Sequence, residues 1–219
     1  MDRNIVGVRD GNAVIRCGDD ARNRAVWVTL EARGKPEERV TLPRSSGGVG
    51  GLDLVVSHDE RHLALFIYSG QSAQGYEIFA LEPRLRHLGG LPYVRGMGDA
   101  PTFSPDDRWL VMVVREVGHL RTATGECFEE VSDEYAQGTV VIHWARLYVQ
   151  RVPDGSLECV HVNLEIPLST HHDVVDDWEV YGAVDIVGSS VRIRMPWGEV
   201  LSVPLPPTGD VTAERPRNS

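Results

Sequence analysis

The sequence predicts an all-β protein built from about four antiparallel units, each with three to four strands. Two observations support this fold class. A nine-residue motif recurs after 47 residues, and in both copies it separates a shorter apolar strand from a longer one. Almost no segment has helical periodicity, whereas alternating apolar and polar residues between turn-forming residues are common.

The repeated motif predicts a tight hairpin. Residues 57–65 (SHDERHLAL) align without gaps on residues 104–112 (SPDDRWLVM), with a shortened relative at 10–15 and a weaker one at 185–191. Asp and Ser side chains can bond to backbone N–H groups of the turn, and Pro105 fixes φ. The β-branched and aromatic residues that follow fit a buried strand. These features specify a hairpin and carry no catalytic signal.

The strands that follow each motif come in the same order in successive units. Third strands are predicted at 25–30, 76–81 and 145–151, and fourth strands at 39–42, 85–88 and 157–163. The units are therefore placed at about 1–44, 50–93, 100–164 and 176–206, the last short of one strand, with a frayed tail at 207–219. Segment 116–138 has no strand pattern and is predicted to hold a helical turn or to be irregular.

At Phe103-Ser104-Pro105-Asp106-Asp107-Arg108-Trp109-Leu110 the sequence resembles the β-propeller repeats of the TolB-like and WD-repeat-like group. The repeat of that group has an apolar-Ser-Pro-Asp-Gly-x-x-apolar core. Here Asp107 replaces the Gly, and His58 replaces the Pro in the first copy. The resemblance covers mainly residues 50–115. It implies a propeller-like array of about four antiparallel three- to four-stranded blades.

Two arrangements of the blades stay open. In one, the N-terminal strand at 4–9 completes the fourth unit and closes a ring. In the other, the array is open and a second copy of the chain, in a homo-oligomer, or another chain covers its unpaired strand edges.

The composition excludes two kinds of partner. The 219 residues include 32 acidic and 22 basic side chains, for a net charge of −10, and Lys35 is the single lysine. Because the arginines form no basic run, we expect neither general nucleic-acid binding nor attachment to an anionic membrane.

The sequence also indicates a compartment. No apolar run reaches the roughly 20 residues of a membrane span, and the first residues do not resemble a signal peptide. Cys17, Cys127 and Cys159 form no CxxC pair, which favours free thiols in a reducing environment. We therefore expect a cytoplasmic protein.

The long connections are expected on one side of the molecule, here called the loop face. In a blade, the loops from the second to the third strand and from the fourth strand to the next unit leave from the same end. These loops are the elaborated ones, at 44–51, 69–75, 93–99, 116–138 and 165–177. Since binding residues are often on loops that a rigid scaffold presents, this face is the predicted binding surface.

Two segments supply most of the candidate binding residues. Residues 126–135 carry five carboxylates around aromatic side chains, as in an acidic strip that docks a basic partner, although a solvated insertion is the alternative. Residues 171–177 could hold a metal ion, but neighbouring side chains of an extended loop point apart, so a solvated acidic loop is favoured. The candidate partner-binding residues are Arg95, Asp99, Phe128, Glu129, Glu130, Asp133, Glu134, Tyr135, His171, His172, Asp173, Asp176 and Asp177.

No catalytic constellation is predicted. The glycine-rich segments at 45–51 and 96–98 lack a phosphate-binding frame and are interpreted as flexible connections. Cys127 lies among acidic residues, which disfavour a thiolate. We expect no catalytic residue, no metal and no cofactor.

The sequence therefore predicts a non-catalytic module that binds a protein partner through the loop face. One specific form is an inhibitor or immunity-type protein that masks a basic partner. The alternative class is an enzymatic or small-molecule-binding propeller, whose axial pocket would be lined by residues such as Arg95, Asp99, His171 and Asp173.

Overall fold

A computed structural model describes residues 4–8, 11–43, 49–69, 73–95, 97–98, 100–115, 120–122, 127–128, 139–152, 155–167, 184–194 and 200–205. Within these ranges all regular structure is β, in four antiparallel sheets. The predicted fold class, an all-β, propeller-like array of about four sheets, is confirmed. Among the described residues there is no helix with the length and apolarity needed to cross a bilayer.

Sheets 1 and 2 are regular four-stranded meanders. Sheet 1 contains β1 (Asn4–Val8), β2 (Ala13–Asp20), β3 (Ala25–Ala32) and β4 (Glu38–Pro43), in that order. Sheet 2 contains β5 (Gly51–Val56), β6 (His62–Ser69), β7 (Ala73–Ala80) and β8 (Arg86–Arg95), again in chain order. In each sheet consecutive strands pair antiparallel, as short hairpin connections require.

Sheet 3 is larger than predicted, with seven strands. They are β9 (Met97–Gly98), β10 (Thr102–Phe103), β11 (Trp109–Arg115), β12 (Leu120–Thr122), β13 (Cys127–Phe128), β14 (Thr139–Arg151) and β15 (Leu157–Pro167). One edge of β14 pairs with β15, and the other pairs first with β12 and then with β11. The expectation that segment 116–138 is helical or irregular is therefore wrong for 120–122 and 127–128, which extend the sheet beyond the end of β11.

Sheet 4 contains β16 (Val184–Val187), β17 (Ser190–Arg194) and β18 (Val200–Pro204). The described part of this sheet has three strands. The N-terminal strand does not complete it, because β1 pairs with β2 in sheet 1, from Asn4 opposite Cys17 to Val8 opposite Ala13. This pairing corrects the expectation that the N-terminal strand completes the fourth unit and closes the ring.

Sheet 2 lies between two hydrophobic cores. Leu63, Leu65 and Ile67 of β6 pack with apolar residues of sheet 1, whereas Ala64 and Phe66 pack with residues of sheet 3. Successive residues of a strand point to opposite faces, so β6 contributes to both cores. The sheet 1 partners include Ile15, Val28 and Leu30, and the sheet 3 partners include Leu110, Met112 and Tyr148.

A side-chain amide also joins sheets 2 and 3. Gln74 is buried on β7, and its Nε2 donates to the Gly98 carbonyl (3.1 Å) while its Oε1 accepts from the Gly98 N–H (2.8 Å). A Cβ at Gly98 would lie 2.2 Å from the Val113 carbonyl oxygen, so only glycine fits here. Met97–Gly98, expected within a flexible connection, is thus a strand held between two sheets.

Candidate functional site

The two copies of the motif form the same turn. In the first copy the Ser57 hydroxyl donates to Asp59 Oδ1 (2.7 Å) and accepts from the His62 N–H (2.9 Å). In the second copy the Ser104 hydroxyl donates to Asp106 Oδ1 (2.6 Å) and accepts from the Trp109 N–H (3.0 Å). The predicted bonding of Ser and Asp side chains within the turn is confirmed.

Both turns pass through a left-handed residue at the same position. Glu60 has a φ of 54° and Asp107 has a φ of 56°. This conformation is readily available to glycine and costs other residues free energy, with Asp and Asn the best tolerated. The repeat pattern has glycine at this position. Glu60 and Asp107 therefore adopt a conformation that suits glycine, and each carries a carboxylate side chain there.

The added carboxylate of Asp107 connects the two turns. Asp107 is 8% exposed, and it accepts from the backbone N–H groups of His58 (2.9 Å) and Asp59 (2.7 Å). Its Oδ1 is also 2.8 Å from His58 Nδ1. A residue of sheet 3 therefore ties down the turn of sheet 2, across 49 residues of sequence.

The two aspartates inside the turns have lowered pKa values. Burial alone would raise the pKa of Asp59, but the Arg61 N–H and the Ser57 hydroxyl bond to its ionised form and outweigh burial. For Asp106 the Ser104 hydroxyl and the Arg108 N–H outweigh burial in the same way, so its pKa also falls. Both turns are therefore most stable with charged carboxylates.

The turns of three sheets lie on one side of the molecule, here called the turn face. It comprises the turns at 33–37, 57–61, 81–85 and 104–108. Sheets 1 and 2 are joined there because the Leu85 N–H donates to Glu38 Oε2 (2.7 Å), and sheets 2 and 3 are joined through Asp107. In antiparallel strands the other connections leave from opposite ends, so the longer connections of these sheets start on the far side.

A cleft opens on the turn face between sheets 1 and 2. Its volume is about 640 Å³, within the range of small-molecule sites. The lining residues are Leu30, Ala32, Lys35, Pro36 and Glu38 from sheet 1 and Arg61, His62, Leu81, Glu82 and Pro83 from sheet 2. The sequence-based prediction placed the binding surface on the loop face and missed this cleft.

The cleft combines an apolar base with charged walls. Leu30 and Leu81 are buried, whereas the Arg61 side chain is 67% exposed and its Nε lies 3.8 Å from Glu82 Oε2. His62 Nδ1 is buried without a hydrogen-bond partner, 4.0 Å from Asp59 Oδ1. The arrangement can bind a ligand, but it contains no nucleophile paired with a base.

Cys17 and Cys159, the cysteines whose side chains the structure describes, form no disulfide. Burial, and to a smaller extent the nearby charge of Asp53, raise the pKa of Cys17 to about 12, which leaves it protonated and unreactive. Cys159 is exposed on β15. Cys17 therefore lacks the electropositive surroundings of a catalytic cysteine.

Most of the sequence-predicted binding residues lie outside the described residues. Arg95 ends β8 and Phe128 ends β13, which pairs with β12, but their side chains are not among those described. The remaining candidates outside the described ranges are Asp99, Glu129, Glu130, Asp133, Glu134, Tyr135, His171, His172, Asp173, Asp176 and Asp177. Among side chains that the structure does describe, no three His, Cys, Asp or Glu groups are placed to hold a metal ion.

The features that sequence reasoning missed had visible signals. His58 and Asp107 are two of the departures from the repeat pattern, and Lys35 is the single lysine of the chain. That His58 lies beside Asp107, and that Lys35 lies in the same cleft as Arg61, depends on contacts between sheets. Such contacts are not encoded in the spacing within one unit.

Comparisons with known proteins identify no relative by sequence. No family model matches the chain, and no curated protein matches it. Two solved structures are similar to parts of it. A protein assigned as a 6-phosphogluconolactonase from Bacteroides fragilis NCTC 9343 is 13% identical with a TM-score of 0.41, over 75% of this chain and 39% of that one. An uncharacterized protein from Listeria monocytogenes EGD-e is 9% identical with a TM-score of 0.39, over 88% of this chain and 58% of that one.

This chain therefore spans less than two thirds of either matched chain.

Proposed function

We propose that this protein is a non-catalytic interaction module that binds a protein partner through its loop face. The observation that supports the proposal is the difference between the two ends of the strands. On the turn face the connections are short and joined to one another by Asp107 and Glu38. The other ends of the strands hold two short hairpin connections, at 21–24 and 70–72, but the longest connections between the described strands, at 44–50, 129–138 and 168–183, also start there.

A braced scaffold with long connections at one end suits binding through loops. The Asp107 contacts and the two shared cores hold sheets 1, 2 and 3 in fixed positions. Loop residues presented by such a scaffold lose less entropy on binding than residues of a mobile chain.

The acidic strip is the proposed centre of the interface. Phe128 is the last residue of β13, which pairs with β12 and through it with β14. The carboxylates of Glu129, Glu130, Asp133 and Glu134 follow directly in sequence, with Tyr135 as a second aromatic residue. Given the net charge of −10, the partner would have a basic or mixed-charge surface.

The proposal also covers the family, the location and the kind of partner. Membership in the TolB-like and WD-repeat-like group is supported by the 57–65 and 104–112 turns, which share one hydrogen-bond pattern. A cytoplasmic location would suit Cys17 and Cys159, which form no disulfide. A mask for a basic toxin or nuclease is the most specific form of the function.

A pull-down with a charge-reversed variant tests the proposal. The variant carries Glu129→Lys, Glu130→Lys, Asp133→Lys and Glu134→Lys. A matched control reverses four exposed carboxylates elsewhere, at Glu31, Glu37, Glu158 and Asp185. A partner captured by the wild type and the control but lost with the variant, then rebound as a purified protein with salt-sensitive affinity, supports the module.

Two results would contradict the proposal. One is the absence of any stoichiometric partner. The other is equal capture by the wild type and the loop variant, which would place the interface elsewhere. In the first case a small-molecule propeller becomes the better hypothesis.

A further inference from the structure

The cleft on the turn face points to a second binding site, separate from the loop face. We propose that it binds a small organic anion, with a carboxylate or phosphate group on an apolar body. The inference does not depend on the protein-binding function proposed above.

Two basic side chains from different sheets lie at this cleft in an otherwise acidic chain. Lys35, the single lysine, and Arg61 come from different sheets and both line the cleft, together with His62. With a net charge of −10 over the whole chain, two cations around one opening are a local concentration of anion-binding groups, even beside the carboxylates of Glu38 and Glu82.

The carboxylates that line the cleft already have partners. Glu38 Oε2 accepts from the Leu85 N–H at 2.7 Å, and Glu82 Oε2 lies 3.8 Å from Arg61 Nε. Among the residues that the structure describes, Lys35 forms no ion pair. Its ammonium group is therefore available to a ligand, whereas Glu38 is already engaged as an acceptor by the backbone.

The cleft also has a place for an apolar group. Leu30 and Leu81 are 5% and 2% exposed and belong to the core beneath the cleft, and Pro36 and Pro83 are exposed beside it. A ring or short alkyl chain lying on these residues would bury apolar surface, while its anionic group reached Lys35 and Arg61.

The backbone around the cleft is held before any ligand arrives. The Arg61 carbonyl accepts from the Leu81 N–H (2.8 Å), and the Arg61 N–H donates to Asp59 Oδ1 (3.0 Å). The preceding residues are fixed by Asp107. Binding would order mainly the side chains of Lys35 and Arg61, which limits its entropic cost.

The test measures binding of phenylacetate and phenyl phosphate by calorimetry, with benzyl alcohol and inorganic phosphate as probes that lack one half of the ligand. The two anions separate carboxylate from phosphate recognition. We expect at least one to bind with millimolar or tighter affinity, more tightly than either half-probe.

Paired variants locate the site. Lys35→Gln with Arg61→Gln should weaken binding by about tenfold or more, because two charge-assisted contacts are lost. Arg192→Gln with Arg194→Gln removes two exposed cations of β17 and should leave the affinity unchanged. Circular dichroism establishes that both variants are folded, and a shift of the His62 imidazole resonances in the wild type reports binding without any mutation.

Three results would overturn the proposal. They are no binding of either anion in the millimolar range, equal loss of affinity in the two paired variants, and binding that leaves the His62 resonances unmoved.

Discussion

His58 and Asp107 depart from the repeat pattern in complementary ways. Proline at position 58 would have no N–H, and glycine at position 107 would have no carboxylate. In this chain the N–H of one bonds to the carboxylate of the other at 2.9 Å. The two departures together make one contact between sheets 2 and 3, which neither would make alone.

A double-mutant cycle at these positions should show strong coupling. Asp107→Gly relieves the left-handed strain but removes the acceptor of two backbone N–H groups, for a net loss of about 1–2 kcal/mol. His58→Pro suits the local backbone, because Pro105 occupies the matching position, but its ring takes the place of the N–H that bonds Asp107 Oδ1. It therefore both deletes a donor to a buried carboxylate and crowds that carboxylate, and it should cost at least as much.

The double variant should lose less stability than the sum of the single variants, by roughly 1 kcal/mol, because His58→Pro removes one of the two N–H groups that Asp107→Gly leaves without an acceptor. Urea unfolding of the four proteins measures the coupling. Additive losses would mean that the contact contributes nothing to stability.

Residue-level prediction succeeded inside each turn and failed between turns. The roles of Ser57, Ser104 and the aspartates two residues later follow from local turn chemistry, which the sequence displays. The Asp107 contact depends on how the sheets pack, and so does the presence of Lys35 and Arg61 in one cleft. One sequence does not reveal such packing.

At the scale of elements, the two hairpin turns should make the protein sensitive to acid. Asp59 and Asp106 have lower pKa values folded than their ordinary value of 3.8. A carboxyl of this kind stabilises the fold at pH values above its unfolded pKa, and the contribution is lost as the pH falls through its folded pKa. We expect the free energy of unfolding to fall below about pH 4 partly for this reason.

Replacing both residues by asparagine should flatten this acid dependence, because asparagine keeps a hydrogen-bonding side chain in the turn but does not titrate. Three proteins are compared by denaturant unfolding at neutral pH and at several pH values below 5. They are the wild type, a double variant that carries both Asp59→Asn and Asp106→Asn, and Asp185→Asn, an exposed control on β16. Identical pH profiles for all three proteins would contradict the assignment.

Element prediction was good where strands are long and poor where they are short. The third and fourth strands of sheets 1 and 2 were found because six to ten residues show their pattern. β12 and β13 have three and two residues, too few for any period, and they form because the 13-residue β14 extends past the end of β11. β9, with two residues, is also too short to show a period.

At the scale of the whole molecule, sheet 2 should couple the stabilities of its neighbours. Leu65 is fully buried in the core shared with sheet 1, so Leu65→Ala should cost about 3 kcal/mol. Because β6 also lies in the core shared with sheet 3, we expect β11 and β14 to lose amide protection together with sheet 1.

Hydrogen exchange followed by mass spectrometry measures this coupling, with Val200→Ala at a half-exposed position of β18 as the control. Loss of protection confined to sheets 1 and 2 would show that the sheets unfold independently.

The two-sided burial of β6 also has a consequence for synthesis of the chain. When residues 62–69 leave the ribosome, sheet 1 is available to cover Leu63 and Leu65, but the strands that cover Ala64 and Phe66 have not yet been made. For that interval the nascent chain exposes an uncharged, apolar strand of the kind that aggregates. The charged residues Asp59, Glu60 and Arg61 immediately precede it, where they oppose association with other chains until sheet 3 is complete.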